Sequence, residues 1–115
     1  MPRGYWVARL DVRDVDLYKK YVEANADAFA KYGAKFLTRG GPFHSLEGNN
    51  RSRNVVLEFE SVDIALACYY SPEYQRAFQI RKDIADADIY IHGGYDGPQP
   101  PEQPGEAASV REAPC

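Results

Sequence analysis

The chain has 115 residues, 44% hydrophobic and 27% charged, an ordinary composition for one globular domain. Its net charge of -3 at pH 7 lacks the basic excess of a nucleic-acid binder, and no apolar run approaches the length needed to cross a bilayer. Two isolated cysteines, Cys68 and Cys115, give neither a disulfide framework nor a thiolate metal set.

All the aromatic residues lie between Tyr5 and Tyr95, whereas the last nineteen residues hold five of the eight prolines and no aromatic. A segment of that kind buries too little apolar surface to offset the entropy of ordering. The expected division is therefore a domain over 1–96 and an appended Pro-rich tail over 97–115, mobile or packed on a partner subunit. The opening MPRGYW lacks the apolar core of a secretory signal, so the expected location is cytoplasmic.

Gly4 to Val12 alternates, with Trp6, Ala8, Leu10 and Val12 on one face and Tyr5, Val7, Arg9 and Asp11 on the other. That is a strand. Asp14 suits an N-cap, and Tyr18, Tyr21, Val22, Ala26, Phe29 and Tyr32 follow helical spacing as far as Gly33, about five turns. Ala34–Thr38 reads as a short strand broken by Gly40-Gly41-Pro42, after which Phe43–Leu46 resumes as an extended arm. Glu47-Gly48-Asn49-Asn50 is turn chemistry. Arg53–Glu60 is the clearest strand, with Val55, Leu57 and Phe59 facing one way and Val56, Glu58 and Glu60 the other. Ser61 or Asp63 caps a second helix with Ile64, Ala67, Cys68 and Leu66 as apolar positions. Ser71-Pro72 interrupts it, and a shorter helix runs to Lys82 or Asp83. Ile84–Asp88 is expected as a connection, followed by a last strand through Ile89, Ile91 and Gly93.

The order of strand, helix, strand, strand, helix, strand predicts an α+β, ferredoxin-like βαββαβ fold with an antiparallel sheet. Both helices cover one face. The other face, with Tyr5, Val7, Arg9, Val56 and Glu58, is too apolar to stay wet, so a homodimer pairing these faces is expected.

Several residues together carry a family likeness. They are Tyr5-Trp6, Tyr21 and Asn25, Tyr32-Gly33, Arg39-Gly40-Gly41, Glu47-Gly48, and Arg53 leading into Val56–Phe59. The run from Ala65 through Tyr69-Tyr70-Ser71-Pro72-Glu73-Tyr74-Gln75 to Arg81 completes the set. Across residues 3–96 the chain closely resembles the family of domain of unknown function 1330. The resemblance implies a ferredoxin-like fold of the dimeric α/β-barrel group and no established activity. The chain departs from the family's habit at Glu60-Ser61, where proline often precedes the serine, and at His92-Gly93, where Asp-Gly is common.

Arg39-Gly40-Gly41 suits an anion, because glycines expose backbone N–H groups and the guanidinium adds a forked donor. The competing reading is a bulge, with Arg39 paired to an acid. Glu47 is either a base near that arginine or a turn residue paired with Arg39, Arg51 or Arg53. Glu58 on a strand face is either a proton carrier or the structural partner of Arg9. His92 and Tyr69 are the further acid–base candidates, and Arg81 a further anchor; the competing reading for each is packing. His44 pairs with no second ligand at metal spacing, so neither metal nor cofactor is expected. The functional expectation is a small metabolite, anionic in one reading, bound or transformed without metal. The alternative is a non-catalytic dimeric structural or ligand-sensing module.

Overall fold

The computed structural model describes residues 2–101. β1 (Gly4–Val12) is the central strand, paired antiparallel with β3 (Arg53–Phe59) on one side and β4 (Ala85–Gly93) on the other. β2 (Lys35–Arg39) extends the sheet beyond β3, giving the order β2-β3-β1-β4. With α1 (Val15–Lys31) and the pair α2 (Val62–Tyr70) and α3 (Pro72–Arg81) as crossovers, this is the expected α+β ferredoxin-like arrangement. No helix among the described residues is long and apolar enough to cross a membrane.

Alternation decides the layers. Trp6, Ala8 and Leu10 of β1 and Val55, Leu57 and Phe59 of β3 are all buried on the face that the helices cover. Trp6 is the centre of that core. Phe29 of α1 and Tyr74 of α3 meet its ring edge-on, with centroids 5.2 and 4.8 Å away. Such contacts add about 0.5–1.5 kcal/mol each beyond area burial.

α1 starts where Asp14 accepts a hydrogen bond from the Leu17 amide, and it ends at Tyr32 before Gly33 in the left-handed region (φ 69). Its buried stripe is Tyr18, Tyr21, Asn25, Ala28 and Phe29. Ala26, expected inward, is exposed, and the polar Asn25 takes the inward place because steps of three and four from Tyr18 and Tyr21 land there. In α2 the cap is Ser61 rather than Asp63, and Ala65, not Ala67, joins Cys68 in the core.

Two stretches differ from expectation. Ala85–Asp88 belongs to β4, pairing with Val12 to Arg9 rather than forming a connection. The long β1 has backbone groups to satisfy along its whole edge, and the Ala-Asp-Ala-Asp run has the period of a strand with small residues inward. Phe43–Leu46 forms no strand; it lies in an exposed loop whose turn at Gly48 (φ 76) is tied by the Asn50 amide to Ser45 Oγ and the Glu47 carbonyl. Of the tail expected over 97–115, residues 97–101 are neither helix nor strand, and the remainder lies outside the described residues.

The second sheet face carries three cross-strand rows. The middle row is Val56–Val7–Tyr90, flanked by Glu58–Tyr5–His92 and by Asn54–Arg9–Asp88. Its apolar part is thus one row, narrower than the sequence suggests, and nothing among the described residues covers it.

Candidate functional site

Between α1 and the β2–β3 side of the sheet lies a narrow cavity of ≈ 30 Å³. Trp6, Phe29, Phe36, Val55 and Leu57 form its apolar wall. Five polar side chains reach it: Tyr18, Tyr21 and Asn25 from α1, Arg39 from β2 and Arg53 from β3.

Local structure explains why two arginines face inward. Arg53 stands two residues before Val55, so strand alternation sends it to the helix side. Its Nε donates to the Tyr18 hydroxyl at 3.0 Å, and its guanidinium lies 5.0 Å from the centre of that ring. Arg39 would face away from Phe36 in a regular strand. The register shift between Phe36 and Thr38 leaves Leu37 as an extra residue, which turns Arg39 to Phe36's side. The Arg39 guanidinium then covers the Phe36 ring at 4.1 Å, an attractive geometry for a cation. Gly40 closes the corner in the left-handed region (φ 68), and a Cβ there would come within 3.1 Å of Arg53 Nη1. The bulge therefore lies at Leu37, and Gly40 after it makes room for Arg53.

Charge is unbalanced at this place. The ion pairs of the described residues are Arg13–Asp86, Lys31–Glu73, and Arg51 with both Asp11 and Asp88. Among the described residues neither Arg39 nor Arg53 has a carboxylate within 4.0 Å. Behind the cavity, the Tyr21 hydroxyl meets that of Tyr74 at 2.8 Å, and Arg81, only 5% exposed, approaches both. Burial pushes the Tyr21 and Tyr74 hydroxyls up, so both stay protonated at neutral pH.

The sequence candidates scatter. Arg39 lines the cavity, Gly40 follows it beside Arg53, Gly41 comes next (φ 89), and Arg81 stands behind Tyr21 and Tyr74. Glu58 and His92 are on the opposite sheet face. Glu58 accepts from the Tyr5 hydroxyl at 3.0 Å, and this bond is the main reason the Tyr5 hydroxyl is raised. The expected Glu58–Arg9 pair is not formed, because the register sets Glu58 opposite Tyr5 and Arg9 opposite Asn54; Arg9 donates to Asn50 instead. The His92 ring nitrogen Nδ1 is bonded to the Gly93 carbonyl at 2.7 Å. Tyr69 packs on Trp6 and lines an open groove of ≈ 290 Å³ at the β4 edge with Leu66, Tyr70 and Tyr90. Glu47 is exposed in its turn and pairs with none of Arg39, Arg51 or Arg53.

Arg53, Tyr18, Tyr21 and Asn25 were not among the sequence's site candidates. The signals were present: an arginine in phase with Val55, Leu57 and Phe59, and an asparagine in phase with Tyr21 and Phe29. A polar residue on an apolar stripe marks either a satisfied core group or a cavity, and the packing decides which.

Among solved structures the fold is similar to that of a protein of unknown function from Rhodopseudomonas palustris (TM-score 0.68, 16% identity, covering 84% of this chain and 85% of that one). It is also similar to SnoaB, a cofactor-independent oxygenase from Streptomyces nogalater (TM-score 0.60, 10% identity, 84% and 97% covered). A third likeness is to a dimeric ferredoxin-like protein of unknown function from Thermobifida fusca YX (TM-score 0.56, 17% identity, 80% and 91% covered). At these identities the likeness is one of fold. No curated protein matches the chain. The family described as Domain of unknown function (DUF1330) matches residues 3–95, in keeping with the motif resemblance, and the chain belongs to that family.

Proposed function

We propose that the protein binds a small anionic metabolite, without a metal, in the cavity under α1, and that it works as a homodimer. The observation that carries this reading is the meeting of Arg39 and Arg53 at one aromatic-walled cavity with no carboxylate partner among the described residues. Guanidinium groups left without an acid keep their forked donors for an incoming oxyanion. Apolar walls exclude water and strengthen that attraction. The volume of ≈ 30 Å³ admits only a water-sized or carboxylate-sized group. The rest of the ligand therefore sits at the mouth, beside the exposed Arg39.

Glu58 and His92 lie across the sheet, so among the described residues the cavity has neither a carboxylate nor an imidazole on its wall. That favours binding or ligand sensing over acid–base turnover. A fold neighbour named as a cofactor-independent oxygenase lends the fold and not the reaction. The uncovered Val56–Val7–Tyr90 row supports the dimer, as does a fold neighbour described as dimeric.

The test is a thermal-melting series at constant ionic strength with acetate, benzoate and phosphate. Wild type should melt higher with a carboxylate, since a ligand that binds only the folded state stabilises it by mass action. Arg39→Ala and Arg53→Gln should each bind roughly 10- to 100-fold more weakly, the scale of one lost charge-assisted hydrogen bond. No rise with any anion, or an equal rise in the double variant, would refute the reading.

A further inference from the structure

The inner end of the cavity is polar but uncharged. Tyr21 and Asn25 are one helical turn apart on α1, 5% and 6% exposed, and both line the cavity. Tyr74 behind them is completely buried. Its hydroxyl meets Tyr21 and the Arg81 guanidinium, and the guanidinium can only donate. The only acceptor recorded for the Tyr74 proton among the described residues is therefore the Tyr21 oxygen. With Tyr74 as the donor of the bond it shares with Tyr21, the single proton of Tyr21 is left for another acceptor. The Asn25 amide makes no hydrogen bond among the described residues beyond its approach to Tyr21. An amide carries two N–H donors and a carbonyl, so most of its capacity is unused. Buried polar groups are ordinarily satisfied, and an unused set facing a cavity points to a missing partner.

We infer that Tyr21 is the cavity's hydrogen-bond donor, oriented by Tyr74 and Arg81, and that the ligand is a short carboxylate carrying a second oxygen acceptor of the keto type. This rests on the reading of the cavity as an anion site. Arg39 and Arg53 take the carboxylate at the mouth, while Tyr21, assisted by Asn25, donates to the second oxygen, the one small group that enters the cavity. Tyr74 and Arg81 touch no ligand; they are positioning residues. Arg81 has an orphaned Nε, so its charge is held by the two hydroxyls rather than by an acid among the described residues.

Matched acids separate this inference from its premise. Calorimetric titration of the full chain would compare pyruvate with propionate, and levulinate with pentanoate, each pair differing only in a carbonyl. In wild type at least one keto acid should bind about tenfold more tightly than its partner, the scale of one hydrogen bond made in a buried site. In Tyr21→Phe that preference should vanish. Equal binding within both pairs would overturn the inference and leave the anion site standing. Failure of all four acids to bind would remove the anion site and the inference with it. If Tyr21→Phe does not fold, Asn25→Ala serves the same comparison. An undiminished preference in whichever variant folds overturns the assignment.

Discussion

Arg51 and Arg53 are two residues apart and have opposite fates. Arg51 bridges Asp11 and Asp88 at the end of the sheet, while Arg53 turns inward to Tyr18 and the cavity. The acid side of the first group has a measurable consequence. The Ser52 amide, with the Ser52 hydroxyl and Arg51, holds the Asp11 carboxyl below its ordinary 3.8. A carboxyl depressed in the folded state contributes stability that is present above the unfolded value and lost as pH falls through the folded one. Wild type should therefore lose stability on acidification below about pH 4 more steeply than Asp11→Asn, followed by circular dichroism. Superimposable curves would show that Asp11 adds nothing. Cys68 is the other residue with a sharp expectation, since burial pushes its thiol up to about 12. Only the thiolate is reactive, so iodoacetamide at about pH 8 should leave Cys68 unmodified in the native protein and label it after unfolding, read by peptide mass.

At the scale of elements, the joint between α2 and α3 depends on one side chain. Ser71 is buried and serves both helices: its hydroxyl accepts from the Tyr74 amide and donates to the Cys68 carbonyl. Ser71→Ala removes the cap and leaves the buried Tyr74 amide without its acceptor, while the Cys68 carbonyl keeps the Ser71 amide, so it should cost about 1–3 kcal/mol in urea unfolding. A loss under about 0.5 kcal/mol would show that the Pro72 break alone sets the joint. Signals confined to one segment were legible in the sequence. The Asp14 cap, the Gly33 stop, the Ser71-Pro72 break and the alternation of β3 all depend on near neighbours. Signals that depend on pairing were not. The Leu37 bulge shows only when β2 is laid against β3, and it alone puts Arg39 beside Phe36 and Arg53. The first half of β4 likewise becomes a strand because β1 has an open edge. The cavity needs α1, β2 and β3 packed together, so its arginines were visible as residues and not as a pair.

For the whole molecule, the open question is what covers the second sheet face. Four strands of five to nine residues make a patch of roughly 500 Å² from their spacing and rise, with one apolar row across it. A stable association buries roughly 800 Å² on each partner. The sheet alone falls short, and further exposed apolar surface lies in the loop after β2, where Phe43 is 44% and Leu46 87% exposed. The dimer proposed above should therefore depend on both the row and the loop. Sedimentation at micromolar concentration should give a dimer for wild type. Val56→Lys sets a charge in the middle of the apolar row and should give a monomer with unchanged circular dichroism, because Val56 lies outside the core. Leu46→Asp should weaken the dimer by a smaller factor. Both variants should keep their affinity for carboxylates, since the cavity is built within one subunit between α1 and the sheet. A monomeric wild type would leave the sheet face to another partner. A Val56→Lys dimer would move the interface away from the row, to the groove at the β4 edge where Tyr70 is 72% exposed.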